Sequence, residues 1–215
     1  MLPINGRPFL EYLVVLLAQS GIGDFVFCTG YLAEQIEAHF GNGEAWNARI
    51  QYSVETTPLG TGGAIKKAAG MLQENFLLLN GDNYLPLDYA DFIRTFETNR
   101  PIGLTACWAN DSGRFGSNLI LSEDRRSVAA YDYQNSQGKT HIDCGVKMFS
   151  RELLCFFDDR QAFSLEEAVM PELARQGLLA AYPAGQPPYD IGTPEELSRT
   201  RHEPQKLLPA LHARV

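Results

Sequence analysis

The chain has 215 residues, 45% of them hydrophobic, with 18 Lys plus Arg against 26 Asp plus Glu and a net charge of -8. That length suits the core of one large α/β domain better than two small ones. The acidic balance, without a dense basic run or aromatic-basic interleaving, argues against nucleic acid as a partner. The longest purely apolar stretch, Leu13 to Ala18, is too short to cross a bilayer. No basic-then-apolar start reads as a signal peptide, so no membrane contact and a cytoplasmic location are expected.

Met1 to Pro8 is extended and turn-rich, and Pro8 opens a helix with Phe9, Tyr12, Leu13, Leu16 and Leu17 at helical spacing, ended by Gly21. Phe25 to Cys28 reads as a buried strand, followed by Thr29-Gly30-Tyr31-Leu32 and a short helix with Ile36 and Phe40 inward. Ile50 to Val54 is the next strand, and after the loop Glu55 to Thr61 the residues Ala64, Ile65, Ala68, Ala69 and Leu72 mark a helix. Phe76 to Leu79 is an unbroken apolar run that suits a strand buried on both faces. Alternation of strand and helix at this spacing predicts an α/β fold: a three-layer α/β/α, Rossmann-like, doubly wound and mostly parallel (mixed) sheet.

The second half is less regular. A helix is predicted around Tyr89 to Thr98, with Phe92, Ile93 and Phe96 inward, then strands near Ile102 to Trp108, Asn118 to Leu121, Val128 to Tyr133 and Ile142 to Phe149. Consecutive strands without helices between them predict an antiparallel insertion or edge. Two capping boxes follow, Ser164 with Glu167 and Thr193 with Glu196, the second with Pro194 at the first helical position. The tail from His202, with Pro204 and Pro209, is expected to be poorly ordered or an added helix. Cys28, Cys107, Cys144 and Cys155 lack metal-type or redox spacing, and apolar surroundings predict that three of them are buried thiols.

Three places carry chemistry. The run Phe76 to Leu79 ends in Asn80-Gly81-Asp82, and open α/β sheets bind ligands beyond the strands' carboxyl ends. Asp82 is thus either a functional carboxylate or part of a polar turn. Leu59-Gly60-Thr61-Gly62-Gly63 lies between strand and helix, where bare backbone can approach a phosphate or a planar base, or where glycines serve close helix-to-strand packing. It is not the dinucleotide fingerprint. Asp190 precedes a helix that Thr193 already caps, so its carboxylate is free for another task. Two carboxylates across a sheet crevice suit Mg²⁺ when a nucleotide's phosphates supply the remaining oxygens.

Met1 to Leu10 (MLPINGRPFL), Thr29 to Leu32 (TGYL), Glu55 to Ile65 (ETTPLGTGGAI), Leu79 to Asp82 (LNGD), Asp143 to Phe149 (DCGVKMF) and Tyr189 to Glu196 (YDIGTPEE) stand in the order seen in sugar-1-phosphate nucleotidyltransferases. The chain resembles the short bacterial heptose- and mannose-1-phosphate guanylyltransferases from Met1 to about Arg199. The resemblance implies a domain over residues 1–201, a tail over 202–215, and attack of a sugar 1-phosphate on the α-phosphate of a nucleoside triphosphate with loss of pyrophosphate. By position it implies Asp82 and Asp190 as catalytic residues holding Mg²⁺. Glu55, Leu59, Gly60, Thr61 and Gly62 would lie at the nucleotide, and Asn80, Gly116, Asp143 and Gly145 at the sugar. The implied partners are a nucleoside triphosphate and a sugar 1-phosphate, with a homo-oligomer admitted.

The chain departs from the resemblance in two ways. Family members begin with a strand, a glycine-rich loop bearing an Arg, and a Lys-Pro pair before the segment matching Met1-Leu2-Pro3. Their Glu-Lys pair near the sugar falls here on Tyr133-Gln134. The alternative is therefore a non-catalytic homologue that binds nucleotide or sugar phosphate, and residues 1–215 alone are expected to turn over slowly if at all. The missing strand would lie between those at Phe25 and Phe76, leaving each an unpaired edge. Glu55 stands where relatives that use uridine or thymidine triphosphate have Gln. A carboxylate accepts from guanine's two adjacent donors, which predicts GTP as the donor substrate. The alternative for Glu55 is solvent, or a pair with Lys66 or Lys67.

Overall fold

Asn5 and Gly6 both take positive φ, 48° and 77°, the requirement of a tight hairpin turn that joins β1 (Pro3–Ile4) to β2 (Arg7–Pro8). The computed structural model describes residues 1–203 and Leu207, so the tail expected from His202 lies almost wholly outside the described residues. After Pro8 the helix α1 (Phe9–Gln19) buries Phe9, Tyr12, Leu13 and Leu17, and the Tyr12 hydroxyl donates to the Ile4 carbonyl at 2.9 Å. That bond ties helix to hairpin and satisfies the only polar atom on the buried ring.

The chain continues as β3 (Asp24–Thr29), α2 (Ala33–Phe40), β4 (Arg49–Val54), α3 (Gly60–Ala68), β5 (Asn75–Leu79), β6 (Asn83–Tyr84), α4 (Tyr89–Asn99) and β7 (Gly103–Ala109). Then come β8 (Leu119–Leu121), β9 (Val128–Tyr131), β10 (His141–Ser150), α5 (Leu165–Ala168), α6 (Met170–Arg175), β11 (Leu179–Pro183), β12 (Tyr189–Asp190) and α7 (Pro194–His202). Strand β7 pairs parallel to β11 and antiparallel to β10, which also opposes β5. Strands β5, β7, β8 and β11 thus share one direction and β9 and β10 run against them, β8 and β9 extending the antiparallel insertion.

Alternation along β10 feeds two cores. Phe149 packs with Ile65, Leu165, Met170 and Leu173 on the α3, α5 and α6 side. Val146 and Met148 pack with Leu17, Phe92 and Phe96 on the α1 and α4 side. The result is the expected three-layer α/β/α arrangement, with its mixed sheet and the antiparallel β8–β10 region near the predicted boundaries. Both predicted caps form, with Ser164 Oγ accepting from Glu167 N–H and Thr193 Oγ1 from Glu196 N–H, each at 3.2 Å.

Strands β3 and β5 depart from the expectation of full burial. Phe25, Phe27 and Phe76 to Leu79 are only half-buried, because among the described residues β3 pairs with β4 alone and β5 with β10 alone. The facing edges line a cleft of about 760 Å³, floored and roofed by residues such as Leu13, Ile65 and Leu72. The same opening corrects the cysteine expectation. Cys107 and Cys144 are buried, but Cys28, on β3, is exposed, as is Cys155. Among the described residues no helix is long and apolar enough to cross a membrane.

Unpaired strand edges beside apolar side chains recruit other strands. Residues 1–215 are expected to self-associate at micromolar concentration in size-exclusion chromatography with light scattering. A monodisperse monomer with a single cooperative unfolding transition would show that the cleft is tolerated.

Candidate active site

The apolar strand β5 stops at Leu79, and the chain turns through Asn80, Gly81 and Asp82 into β6, whose two residues pair with β12 as Asn83↔Asp190 and Tyr84↔Tyr189. Aromatic contact between Tyr84 and Tyr189 and a hydrogen bond from Ile191 N–H to the Asp82 carbonyl at 3.0 Å lock this pairing. Two distant segments are thereby held so that their carboxylates converge. Gly192 lies between them: a Cβ there would sit 3.1 Å from Asp190 Oδ1 and 3.3 Å from Asp82 Oδ2.

The two carboxylates are held differently. Asp190 accepts from Asn83 Nδ2 at 2.7 Å and from Gly192 N–H at 2.6 Å, and its own carbonyl accepts from the Thr200 hydroxyl at 2.9 Å. Asp82 faces the open side of the turn. Loss of hydration and the neighbouring Asp190 charge push its carboxyl above the ordinary value, against smaller lowering effects of its own backbone N–H and of Lys147. A carboxylate made uncomfortable by a like charge is ready to accept a cation.

Asn80 and Gly145 meet at the same end of the sheet. Asn80 N–H donates to the Gly145 carbonyl at 3.0 Å, and Asn80 Nδ2 donates to Asn83 Oδ1 at 3.3 Å. Gly145 has φ 77° at the bulge in β10, and any Cβ there would overlap Asn83 Oδ1. Asp143 is engaged on both oxygens, accepting from Gly145 N–H on Oδ1 and from the Tyr131 hydroxyl on Oδ2, both at 2.9 Å. Its side chain is 5% exposed, so it shapes the strand from inside. Gly116 is in an exposed loop tied down by Asn110, whose amide donates to the Phe115 carbonyl at 2.6 Å and to Ser117 Oγ at 3.0 Å. Arg114 of that loop forms an ion pair with Glu196, bringing it alongside α7.

The Leu59 to Gly63 segment is the start of α3, and its glycines do packing work. Side chains at Gly60, Gly62 and Gly63 would strike Phe163 or Gln161. The Phe163 carbonyl accepts from the Gly62 and Gly63 N–H groups at 3.0 and 3.3 Å, and Phe163 N–H returns a bond to Leu59 O at 2.8 Å. Those two donors are occupied by protein. Thr61 is exposed as a residue, but its hydroxyl donates to Glu166 Oε2 at 2.5 Å. Glu55 leans back over the loop, with Oε2 accepting from Leu59 N–H at 3.3 Å and the rest of its carboxylate against Gly30. Lys66, the alternative partner for Glu55, donates instead to the Asp158 and Arg160 carbonyls.

Sequence reasoning missed Asn83, Glu166 and Lys147. Asn83 follows Asp82 directly, but its role depends on β6 pairing with β12. Lys147 is 1% exposed on β10, and a lysine within the apolar run Val146 to Phe149 was a signal available in the sequence.

Among the described residues no group of three or more His, Cys, Asp or Glu is arranged to hold a metal. Asp82 and Asp190 alone offer two hard oxygen donors over a glycine. That donor set is too small for an all-protein Ca²⁺ cage and suits Mg²⁺, which keeps waters or phosphate oxygens in most positions.

Residues 1–202 match the nucleotidyl transferase family. The chain is 32% identical over 203 residues to the mannose-1-phosphate guanylyltransferase of Mycobacterium tuberculosis, covering 93% of this chain and 56% of that protein. It is 30% identical over 207 residues to the D-glycero-alpha-D-manno-heptose 1-phosphate guanylyltransferase of Aneurinibacillus thermoaerophilus, covering 95% and 88%. The chain thus spans about half the length of the first relative and most of the second. Among solved structures, HddC from Yersinia pseudotuberculosis superposes with a TM-score of 0.80 at 27% identity, covering 94% of this chain and 88% of that one, and has also been solved in complex with GMP-PN.

The packing of α3 on Phe163 gives a stability prediction. Gly62→Ala is expected to cost about 1–3 kcal/mol, the usual range for overpacking, in denaturant unfolding. Gly70→Ala, at an open position, should be neutral or stabilising. Equal midpoints for the two variants would remove the packing role of Gly62.

Proposed function

The chain belongs to the nucleotidyl transferase family, and from that premise we propose that it transfers GMP from GTP to a sugar 1-phosphate, releasing pyrophosphate. The observation that carries this reading is the convergence of Asp82 and Asp190 over the bare backbone of Gly192, at the end of β5 where a phosphate can approach. The guanylyltransferase names and the GMP-PN complex of the relatives support guanine as the base.

When bound, Mg²⁺ would supply charge neutralisation at the α-phosphate and the pyrophosphate leaving group. Asp82 and Asp190 would hold it, with Asn83 and Gly192 N–H fixing the orientation of Asp190. Asn80 and Gly145 define the wall on which the sugar would rest, and the Gly116 loop, anchored through Arg114 and Glu196, would close its far side. Leu59 to Gly62 form a rigid platform for the base, stiffened by Phe163. In-line attack by the sugar phosphate oxygen then needs positioning more than proton transfer.

Pyrophosphate release should be assayed with GTP and a panel of sugar 1-phosphates, using residues 1–215 and the same chain with any in-frame segment encoded upstream. Release with GTP and a mannose- or heptose-type 1-phosphate is expected in at least one form. No release in either form, with any nucleotide, would overturn the reaction.

Asp82 trades stability for metal binding. A carboxyl whose folded pKa is raised adds stability below its unfolded pKa and loses it as pH rises through the folded value. Asp82→Asn is therefore expected to raise Tm at pH 7, with the gain vanishing below about pH 4, where the unfolded carboxyl is itself largely protonated. The same variant should lose Mg²⁺-dependent nucleotide binding. A lowered Tm at pH 7 would show that Asp82 is held by stabilising contacts.

Base choice rests on Glu55. Facing uracil carbonyls would set acceptor against acceptor, at a cost of about 1–3 kcal/mol. Calorimetry should give tighter binding of GTP than of UTP, with the gap narrowed in Glu55→Gln. Equal affinities in the unmodified chain would exclude Glu55 as the reader of the base.

A further inference from the structure

Lys147 is the most deeply buried cation described, and none of the roles above uses it. Its ammonium lies 3.0 Å from Asp143 Oδ2 and 3.7 Å from Glu166 Oε1, with the Lys147 and Asp143 side chains 1% and 5% exposed. In a regular strand residues four apart are about 13 Å from each other. The bulge at Gly145 shortens that path and lets Asp143 and Lys147 meet on one face.

From this pair polar contacts run both ways. On one side Asp143 holds Gly145 N–H, and Gly145 in turn holds Asn80. On the other, Glu166 Oε2 accepts from the Thr61 hydroxyl at 2.5 Å, and Thr61 Oγ1 accepts from Leu165 N–H at 2.8 Å. These contacts run between the loop assigned to the base and the strand assigned to the sugar, through the interior of the protein.

One link is slack. Glu166 Oε1 is buried with no hydrogen-bond partner, and its nearest cation is Lys147, at a distance too long for a hydrogen bond. An unpaired carboxylate oxygen in the interior is costly. A shift of α5 and the Thr61 loop by a fraction of an ångström toward β10 would convert the 3.7 Å separation into a charge-assisted bond. The structure holds the arrangement in which Lys147 bonds to Asp143 with Glu166 standing off; sharing the ammonium with Glu166 would be a second one, and coupling between sites needs such a two-state element. Burial alone disfavours the Lys147 charge, but Asp143 and Glu166 outweigh it and hold the ammonium above its ordinary pKa, so the cation persists in both.

We propose that Lys147 is a positioning residue that couples nucleotide binding at the Thr61 loop to ordering of the sugar wall at Asp143 and Gly145. Nucleotide that settles on the loop draws Glu166 toward Lys147, and Lys147 transmits the change to the bulge. The proposal rests on the guanylyltransferase reading for the identity of the two ligands.

The test is calorimetry on the full chain with Mg²⁺, measuring mannose 1-phosphate binding with and without a saturating non-hydrolysable GTP analogue. In the unmodified chain the analogue should tighten sugar phosphate binding by tenfold or more. Lys147→Met should bring that factor to within twofold while the analogue's own affinity changes less than threefold, and Lys147→Arg should restore most of the coupling. If circular dichroism shows that Lys147→Met is unfolded, Glu166→Gln carries the test, since it cuts the charge link to the loop while leaving Lys147 paired with Asp143. Independent binding in the unmodified chain, or coupling retained in the folded variant, would overturn the proposal. Failure of the unmodified chain to bind the GTP analogue at all would instead overturn the nucleotide reading, and this inference with it.

Discussion

The pairing of Asn83 with Asp190 spans 107 positions and is only two residues long on each side, yet the candidate site depends on it. A short ladder of that kind carries little stability by itself. Here it is supported by Tyr84, 2% exposed among Ile4, Phe9, Tyr12 and Leu13, so that the hairpin and α1 form the bed on which β6 and β12 lie. The N-terminal hairpin is therefore connected mechanically to the carboxylates, although it contributes no side chain to them.

Buried charge is distributed in a consistent way around that bed. Asp190 has its charge balanced by donors from Asn83 and Gly192, and Asp143 by Tyr131, Gly145 and Lys147. Among the described residues, Glu166 Oε1 and Glu11 Oε2 are buried without a hydrogen-bond partner, and at the mouth loss of hydration and the Asp190 charge outweigh what stabilises the Asp82 carboxylate. Removing one partner of a buried ion pair typically costs about 3–5 kcal/mol. The pair of Lys147 with Asp143, which spans the bulge of β10, is for that reason costly to break.

Much of the fold was legible in the sequence. Phe9 to Leu17 at helical spacing, the two capping boxes and the helix-free run of strands after Ile102 each encode a local choice that the structure repeats. The half-buried state of β3 and β5 was not legible from their own residues, because an apolar run reports a tendency to be buried and not whether a neighbour is there to bury it. Of the site, Asp82 and Asp190 could be singled out by their places at a strand end and a helix start. Asn83 and Glu166 could not, since their meaning lies in pairings between segments far apart in the chain, and Lys147 stood out only as a cation inside an apolar run.

Glycine is where sequence signals were hardest to interpret, and the structure separates three uses of it. At Gly62 the missing side chain admits the Phe163 ring, so the motif Leu59 to Gly63 records helix packing first and ligand access second. At Gly145 a positive φ and close approach to Asn83 let β10 bulge, which brings Asp143 and Lys147 within reach of each other. At Gly192 the bare backbone leaves room for two carboxylates to face one another. A glycine in a sequence announces that something comes close to the backbone, and only the fold says whether it is a ring, an amide or a pair of charges. Gly145 and Gly192 meet through Asn83, which a side chain at Gly145 would strike and whose amide donates to Asp190, so the bulge of β10 and the facing carboxylates are parts of one arrangement, while the contact of Gly62 with Phe163 serves the packing of α3.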